Sequence, residues 1–365
     1  MKSKLEELTD LLSEIDKDIL RAIERRGRVV ADLVKLRSDS AKYLPLLDGA
    51  RIRALEAAVT PPFPTASVRP IFTAIDSACR VYEVAPKVAC VGSEGAFAFI
   101  AALEHFGSRA QLLRSETPEK AIDEVARSRA DFACVPYESL KEGLAFATIQ
   151  AIAAHDLTLV GEREISHVLD LVSRTGNAAD VEKIYVSPHH HVLCEAFLDA
   201  NFPKAVVLDV RSAQMAGELA LDNHGAAAIV PAGLTGIPGD LAVVRENIAD
   251  EGELRVRYGL VSKVPVPRTG NDATAVLFSV HDKPGALHDI LEAFKERGCN
   301  MRRIQSRAIA GDGWEYLFYV EVSGHMTDRP LVSALDGVKK KARMLKIIGS
   351  FPLDVAEPPV SSQPG

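Results

Sequence analysis

Read as a string, this chain should fold in three parts: an all-α unit, then an α/β unit with two lobes, then a small regular module of strands and helices. From Lys4 to Arg37 there is no proline and a single glycine, and Leu5, Leu8, Leu12, Ile15, Ile19 and Ile23 recur every three or four residues. That spacing describes one long amphipathic helix. From Lys87 onward the texture changes to short apolar runs ("KVACV", "DFACV", "LTLVGE", "KIYV", "AVVLDV", "AAAIV", "LVSKV") separated by helical patterns. This is α/β alternation. In "DKPGALHDILEAFKERGCNMRRIQSRA" (282–308), Pro284-Gly285 makes a turn after a strand. Leu287, Ile290, Leu291 and Phe294 then share a helix face, Gly298 stops the helix, and a second strand follows.

At 1.5 Å per residue the first helix is roughly 50 Å long. A small domain of its own cannot cover so long a stripe, so it is expected to pair with another subunit. Asp48–Val59 and Val68–Val84 predict two further helices, with the proline-rich "TPPFPTASVRP" between them. In the α/β unit, Thr117-Pro118-Glu119 and Ser187-Pro188 each read as an N-cap followed by proline in the first turn. "EVARSRADFACVP" and "ELALDNHGAAAIVP" echo each other as helix, turn, strand and Val-Pro, which suggests two similar lobes with a cleft between them. "VPVPRTGND" (264–272) is a seam before the last module, and "AEPPVSSQPG" (356–365) is expected to be a disordered tail.

The totals narrow the functional classes. The 365 residues are 47% hydrophobic and 25% charged, as in ordinary globular proteins. A net charge of −7 argues against a generic nucleic-acid binder. Cys79, Cys90, Cys134, Cys194 and Cys299 are scattered, with no Cys-x-x-Cys pair, which points to reduced thiols in a cytoplasmic protein. "MKSKLEELTDLL" has no apolar signal core, and no run of about 18 apolar residues predicts a membrane span.

Chemistry is sparser. "GSEGAFAF" (92–99) follows a strand and opens a helix, so its amides suit a carboxylate or phosphate. It lacks the G-x-G-x-x-G pattern and its acidic partner, so no dinucleotide cofactor is expected. Adjacent side chains on a helix diverge by about 100°, so the "HHH" run at 189–191 is not expected to hold a metal. Glu138 and Ser139 in "VPYES" stand just past a strand end, where α/β clefts form. Arg257 in "RVRYG" is a candidate carboxylate fork. The residues alone describe a cleft for a small anion, coupled to a regulatory module.

The order of these segments resembles the bifunctional chorismate mutase–prephenate dehydratase family over nearly the whole chain. "PGALHDILEAFKERGCNM" matches the Gly-Ala-Leu turn and helix of that family's ACT module, "IQSRA" stands where it has Glu-Ser-Arg-Pro, and "WEYLFYVEVSGH" fits a closing strand. The resemblance implies a helical mutase-like unit (1–85), a two-lobed dehydratase-like unit of periplasmic-binding-protein type (86–265), and a βαββαβ α+β ACT domain (272–355). It implies a path from chorismate through prephenate to phenylpyruvate in phenylalanine biosynthesis, without cofactor or metal, in a homodimer or homotetramer. Phenylalanine, the implied effector, would bind between two ACT modules beside Gly285, Ala286, Leu287, Gln305, Ser306 and Arg307.

Carried over position by position, the mutase-like set is Arg26, Arg37, Asp48, Arg51 and Glu83. Thr9 and Ile52 replace an arginine and a glutamate of the family. The dehydratase-like set is Glu138, Ser139, Ser212, Arg257 and Tyr258. Here Ala96 and Ala98 replace hydroxyl residues, and Ser139 and Leu140 stand at Asn and Ser. Leu254 and Val256 stand at Asn and Thr, and Tyr258 stands at Phe. The family's threonine assists loss of the ring hydroxyl, a task worth roughly 10²–10⁴-fold. Its replacement by Val256 predicts weakened or altered dehydratase activity. A non-catalytic phenylalanine sensor and a non-aromatising prephenate decarboxylase are the alternatives.

Overall fold

In this computed structural model the described residues are 4–36, 49–79, 85–139, 141–232, 234, 241–250, 252, 254–280, 283–309 and 315–353. They form two units. The first comprises Met1–Pro86 with Glu104–Gln111, and the second Lys87–Leu103 with Leu112–Gly365.

The first unit is helical. Helix α1 (Lys4–Leu36) is continuous, as its periodicity requires, and is followed by α2 (Gly49–Ala57) and α3 (Val68–Cys79). Helix α2 ends two residues before the Val59 that the sequence pattern suggested, and the expected end of α3 falls in residues 80–84, outside the described ones. The C-terminal part of α1 is tied to α3, where Arg26 meets Asp76 and the Cys79 thiol lies 3.7 Å from the Ile23 carbonyl oxygen. Its N-terminal part has no such cover among the described residues. Leu5 is 76% exposed, and Leu8, Leu12, Ile15 and Ile19 are exposed with it.

The second unit carries three sheets. Its elements are β1 (Lys87–Val91), α4 (Phe97–Phe106), β2 (Gln111–Ser115), α5 (Pro118–Ala126), β3 (Phe132–Ser139), β4 (Gly143–Leu144), α6 (Phe146–Ala154) and β5 (Thr158–His167). There follow β6 (Leu169–Ser173), β7 (Lys183–Val186), α7 (Pro188–Val192), α8 (Glu195–Asn201), β8 (Val206–Asp209), α9 (Ala213–Asp222), β9 (Ala226–Pro231), β10 (Ala242–Arg245) and β11 (Leu254–Ser262). The last module is β12 (Asp272–Ser279), α10 (Ala286–Glu296), β13 (Met301–Ile309), β14 (Glu315–Ser323), α11 (Arg329–Lys341) and β15 (Met344–Pro352). Both expected proline starts are present: Thr117 caps α5 by accepting from the Lys120 amide, and Pro188 opens α7.

The first sheet runs β2-β1-β3-β11-β5 with β4 on β3, and the second runs β10-β6-β9-β7-β8. The chain crosses from one to the other at Val168, between β5 and β6, and returns between β10 and β11. Two lobes joined by two crossings is the arrangement the internal echo suggested. Strand β11 runs antiparallel between β3 and β5, so it sits in the middle of the first lobe.

The third sheet runs β13-β14-β12-β15, all antiparallel. Val276, Phe278 and Val320 face α10 and α11 and join Ile290, Phe294, Leu331 and Val338 in one core. The alternate residues Ala273, Ala275, Leu277, Tyr319, Ile348 and Phe351 join a different core, with Tyr137, Ile149, Ile152 and Leu159 of the first lobe. All eight residues of β12 are therefore buried, although a strand with one solvated face would alternate. The module is not an appendage on a linker, because half of its sheet is covered by the dehydratase-like lobe.

Where β15 meets β5 the two backbones almost touch. A Cβ on Gly349 would lie 2.1 Å from the Leu159 carbonyl oxygen and 2.6 Å from its amide nitrogen. Gly349→Ala should therefore lower stability by about 2–4 kcal/mol, measurable as a lower denaturation midpoint.

Candidate active-site cleft and its ionic anchor

Side chains alternate along a strand, so Val256 and Tyr258 leave one face of β11 and Arg257 leaves the other. On the first face, the Tyr258 hydroxyl lies 2.8 Å from His167 Nε2. The His167 ring lies flat on Phe97, with centroids 3.8 Å apart and planes 5° from parallel. Phe97 turns an edge towards His190 at 5.5 Å. His167 ends β5 just before the chain crosses between lobes, Phe97 opens α4 after the "GSEG" loop, and His190 comes from α7 of the second lobe. The cluster therefore lies where the lobes meet.

The local backbone explains how these groups arrive there. Gly95 has φ 82°, and a Cβ on it would come within 2.9 Å of Ala213 Cβ, so the loop lies against the start of α9. Ser212 caps α9 by accepting from the Met215 amide at 3.2 Å. Burial, with His189 as a lesser cause, lowers His167 to about 4. Burial, then His189 and His167, lowers His190 to about 3. Both imidazoles are thus neutral at pH 7. Burial also pushes the Tyr258 hydroxyl far above its ordinary value, so it stays protonated. His190 Nδ1 is buried and has no partner among the described residues.

On the opposite face Arg257 meets three carboxylates. Its Nη1 lies 2.6 Å from Glu138 Oε2 and 3.0 Å from Glu321 Oε1, and its Nη2 pairs with Glu162 and Glu321. Tyr137 lies under the guanidinium, 5.0 Å from ring centroid to Cζ, and donates to Glu162 at 2.7 Å. Tyr319 donates to Glu321 at 2.8 Å. Arg303 pairs with Glu138, and Gln305 donates its amide to Glu138 at 2.8 Å while accepting from the Leu144 amide at 2.9 Å. Burial opposes the charge on Arg257, but Tyr137, Glu162 and Glu321 outweigh it and hold the guanidinium firmly protonated.

This arrangement alters several sequence expectations. Arg257 is not an open fork for a substrate carboxylate, because the chain's own glutamates fill it. Glu138 faces that knot as well. Ser139 accepts from the Glu142 amide at 3.0 Å in the adjoining turn. Tyr258 stands on the opposite face of β11, and Ser212 is buried as the cap of α9. Gln305 is engaged with the lobe rather than free at the module's edge, whereas Ser306 and Arg307 are exposed on the outer strand β13. Gly285 caps α10 at φ 83°, and a Cβ there would meet nothing within 4 Å. It is required by backbone conformation, with no crowding inside the chain, and Ala286 and Leu287 follow it into the first turn of the helix.

In the helical unit, Arg26 Nη2 lies 2.5 Å from Asp76 Oδ1, and its Nη1 is buried without a partner among the described residues. Burial disfavours its charge, but Asp76 and Cys79 raise it overall. Ile52 is buried at 3% exposure while Arg51 is exposed. Thr9 turns its hydroxyl onto the Leu5 carbonyl of its own helix at 2.8 Å. Arg37, Asp48, Glu83 and Leu140 lie outside the described residues, as does the expected tail.

Sequence reasoning did not single out His167, Phe97 or His190. The "HHH" run was considered only as a metal site, and its rings do splay apart: His191 meets Asp209 at 3.0 Å while His190 turns to Phe97. The usable signal was weaker, a histidine closing the "EREISH" strand at a lobe crossing.

Two α/β lobes, joined by a shared core to an antiparallel βαββαβ sheet, define a protein of the two-lobed periplasmic-binding type that carries an ACT-like module. Residues 88–265 match the family model described as prephenate dehydratase, and residues 274–339 that described as ACT domain. The chain is 31% identical over 355 residues to the bifunctional chorismate mutase/prephenate dehydratase of Aquifex aeolicus, covering 96% of this chain and 98% of that one. The enzyme of the same description from Pseudomonas aeruginosa is 29% identical over 364 residues, with the same coverage. The chain belongs to the bifunctional chorismate mutase/prephenate dehydratase family. Among solved structures, prephenate dehydratase from Arthrobacter aurescens in complex with L-Phe is 29% identical and covers 73% of this chain and 90% of its own, with a TM-score of 0.58. Prephenate dehydratase from Staphylococcus aureus, at 20% identity and TM-score 0.58, shares the fold. No described helix is long and apolar enough to cross a membrane.

Two outcomes follow for this site. Arg257→Ala leaves three carboxylates facing one another and should cost about 3–5 kcal/mol, read from chemical denaturation. The histidines set an acid limit. Both stay neutral when folded and ionise when unfolded, so the unfolded state binds more protons below the ordinary value of 6.5. Their contribution to stability is complete above 6.5 and drains as pH falls towards about 4 for His167 and about 3 for His190. His167→Gln should flatten part of that slope in a series of melts against pH.

Proposed function

We propose that this protein converts prephenate to phenylpyruvate in the cleft between its lobes, forms prephenate from chorismate in its helical unit, and is regulated by phenylalanine through its ACT sheet. The colinear match over 96% of the chain to a bifunctional enzyme carries this reading. Geometry supports it at two points. The lobes meet around protonated, neutral donors, which suits a leaving hydroxyl better than a carboxylate would. The helical unit holds a buried cation, Arg26, with one nitrogen uncommitted among the described residues, as a dianionic substrate requires.

The effector reading is supported by the L-Phe bound to the related dehydratase, and by the exposed Ser306 and Arg307 on β13, an edge strand whose outer side pairs with no strand among the described residues. An unpaired edge is a template for a second chain. The exposed stripe from Leu5 to Ile19 supports pairing through α1 as well. A homodimer or homotetramer is accordingly part of the proposal.

Incubating the full chain with prephenate, and separately with chorismate, and following products by absorbance and mass tests the reading. Phenylpyruvate and carbon dioxide should appear from prephenate; recovery of unchanged prephenate would refute the dehydratase assignment. Arg26→Ala should reduce chorismate rearrangement by about 10²-fold or more. An unchanged rate would make Arg26 a purely structural partner of Asp76. Phenylalanine should raise the melting temperature, since a ligand selective for the folded state stabilises it by mass action; no shift at saturating ligand would remove the effector.

A further inference from the structure

Residue 256 carries no hydroxyl, yet the strand register brings one towards the Val256–Ile165 pair. In the pairing of β11 with β5, Leu254 faces His167, Val256 faces Ile165 and Tyr258 faces Arg163. The backbone of Tyr258 is therefore four residues along the ladder from the position opposite His167, roughly 14 Å at strand spacing. Their side-chain tips nevertheless meet at 2.8 Å. Both side chains must lean towards each other along the strand, so their contact falls over residue 256, on the face that Val256 shares.

The surroundings hold that hydroxyl in one place. His167 is clamped flat against Phe97 at 3.8 Å and cannot swing away without breaking the stack. Tyr258 is 4% exposed and His167 8%, so water competes little for their hydrogen bond. Across the Phe97 ring, the second lobe presents His190, whose buried Nδ1 has no partner among the described residues. Such a group inside a well-packed protein calls for a partner that arrives from outside.

We infer that Tyr258 is a catalytic residue of the dehydratase reaction, donating a hydrogen bond to the departing ring hydroxyl, and that His167 is the positioning residue that aims it. This rests on the proposed dehydratase function. With Nε2 protonated, neutral His167 donates to the Tyr258 oxygen and leaves the tyrosine's own hydrogen for substrate. In the reaction the bond from ring carbon to carboxylate breaks, and its electron pair enters the ring as carbon dioxide departs. The bond from ring carbon to hydroxyl breaks with its pair on oxygen. The oxygen leaves as hydroxide held by the Tyr258 O–H and is neutralised by a proton from solvent. The tyrosine thus supplies a donor at the place where Val256 lacks one.

Steady-state kinetics of phenylpyruvate formation from prephenate, with the full chain and four variants, test the assignment. Tyr258→Phe should lower kcat by about 10²-fold and leave KM within about twofold, the signature of an interaction made in the transition state. Adding Val256→Thr to Tyr258→Phe should recover about tenfold or more, because it returns a hydroxyl to the same spot. His167→Leu should lower kcat, and His167→Gln, whose amide can still donate, should recover part of it. An active wild type with Tyr258→Phe unchanged would overturn the inference and leave the dehydratase reading standing. A wild type with no turnover of prephenate would overturn both. Should Tyr258→Phe fail to fold, equal kcat for His167→Leu and the wild type would still overturn it.

Discussion

The buried pairing of Arg257 with Glu138, Glu162 and Glu321 ties together three strands of the dehydratase-like lobe and one of the ACT sheet. Glu321 is 1% exposed, so the cost of removing its charge from water must be met inside the protein. Arg257 and Arg303 offset two of three negative charges, and Tyr137, Tyr319 and Gln305 donate to the oxygens that remain. The amide at position 305 then has a physical reason. A carboxylate there would add a fourth negative charge and set acceptor against acceptor at Glu138, although it could still accept from the Leu144 amide. The difference from the family's glutamate is compensated by its neighbours rather than isolated.

Because the knot fixes Arg257, it also fixes which face of β11 looks into the cleft. A strand with Arg257 anchored on one side has no freedom to turn Val256 and Tyr258 away from the other. The second lobe reaches the same place through Gly95, which lets the loop before Phe97 lie against the start of α9. The proposed site and the inter-domain contact are thus two faces of one strand, one residue out of step. A ligand that shifts β13 or β14 pulls directly on the partners of Arg257, through Gln305, Arg303 and Glu321.

The broad organisation was legible because it is written in local patterns. A long proline-free stripe, apolar runs with capped helices between them, and a Pro-Gly turn before an amphipathic helix each need only neighbouring residues to be read. The family resemblance was legible in the same way, through short motifs in a fixed order. The knot and the cleft were not, because they are built from distant residues: Glu138 lies 119 positions from Arg257 and Glu321 lies 64. His167 and Tyr258 are 91 apart. Arg257 was read as a free cation since nothing in "RVRYG" hints at the glutamates around it. Tyr258 was read as a stand-in for phenylalanine since its hydroxyl gains meaning only beside His167. Part of the burial of β12 could have been noticed, as Ala275-Val276-Leu277-Phe278 runs apolar without the alternation of a strand with one wet face, whereas nothing local announces that Asp272, Thr274 and Ser279 are buried too.

The shared core between the ACT sheet and the first lobe bears on how such a chain can change over generations. A regulatory module hung on a tether can be lost to a premature stop, leaving an unregulated enzyme behind. Here a stop within 264–272 would strip cover from Tyr137, Ile149, Ile152 and Leu159 and leave Arg257 without Glu321. Loss of the module would expose part of the lobe's own core. A substitution in the module is therefore also a substitution in the cover of the lobe beneath it.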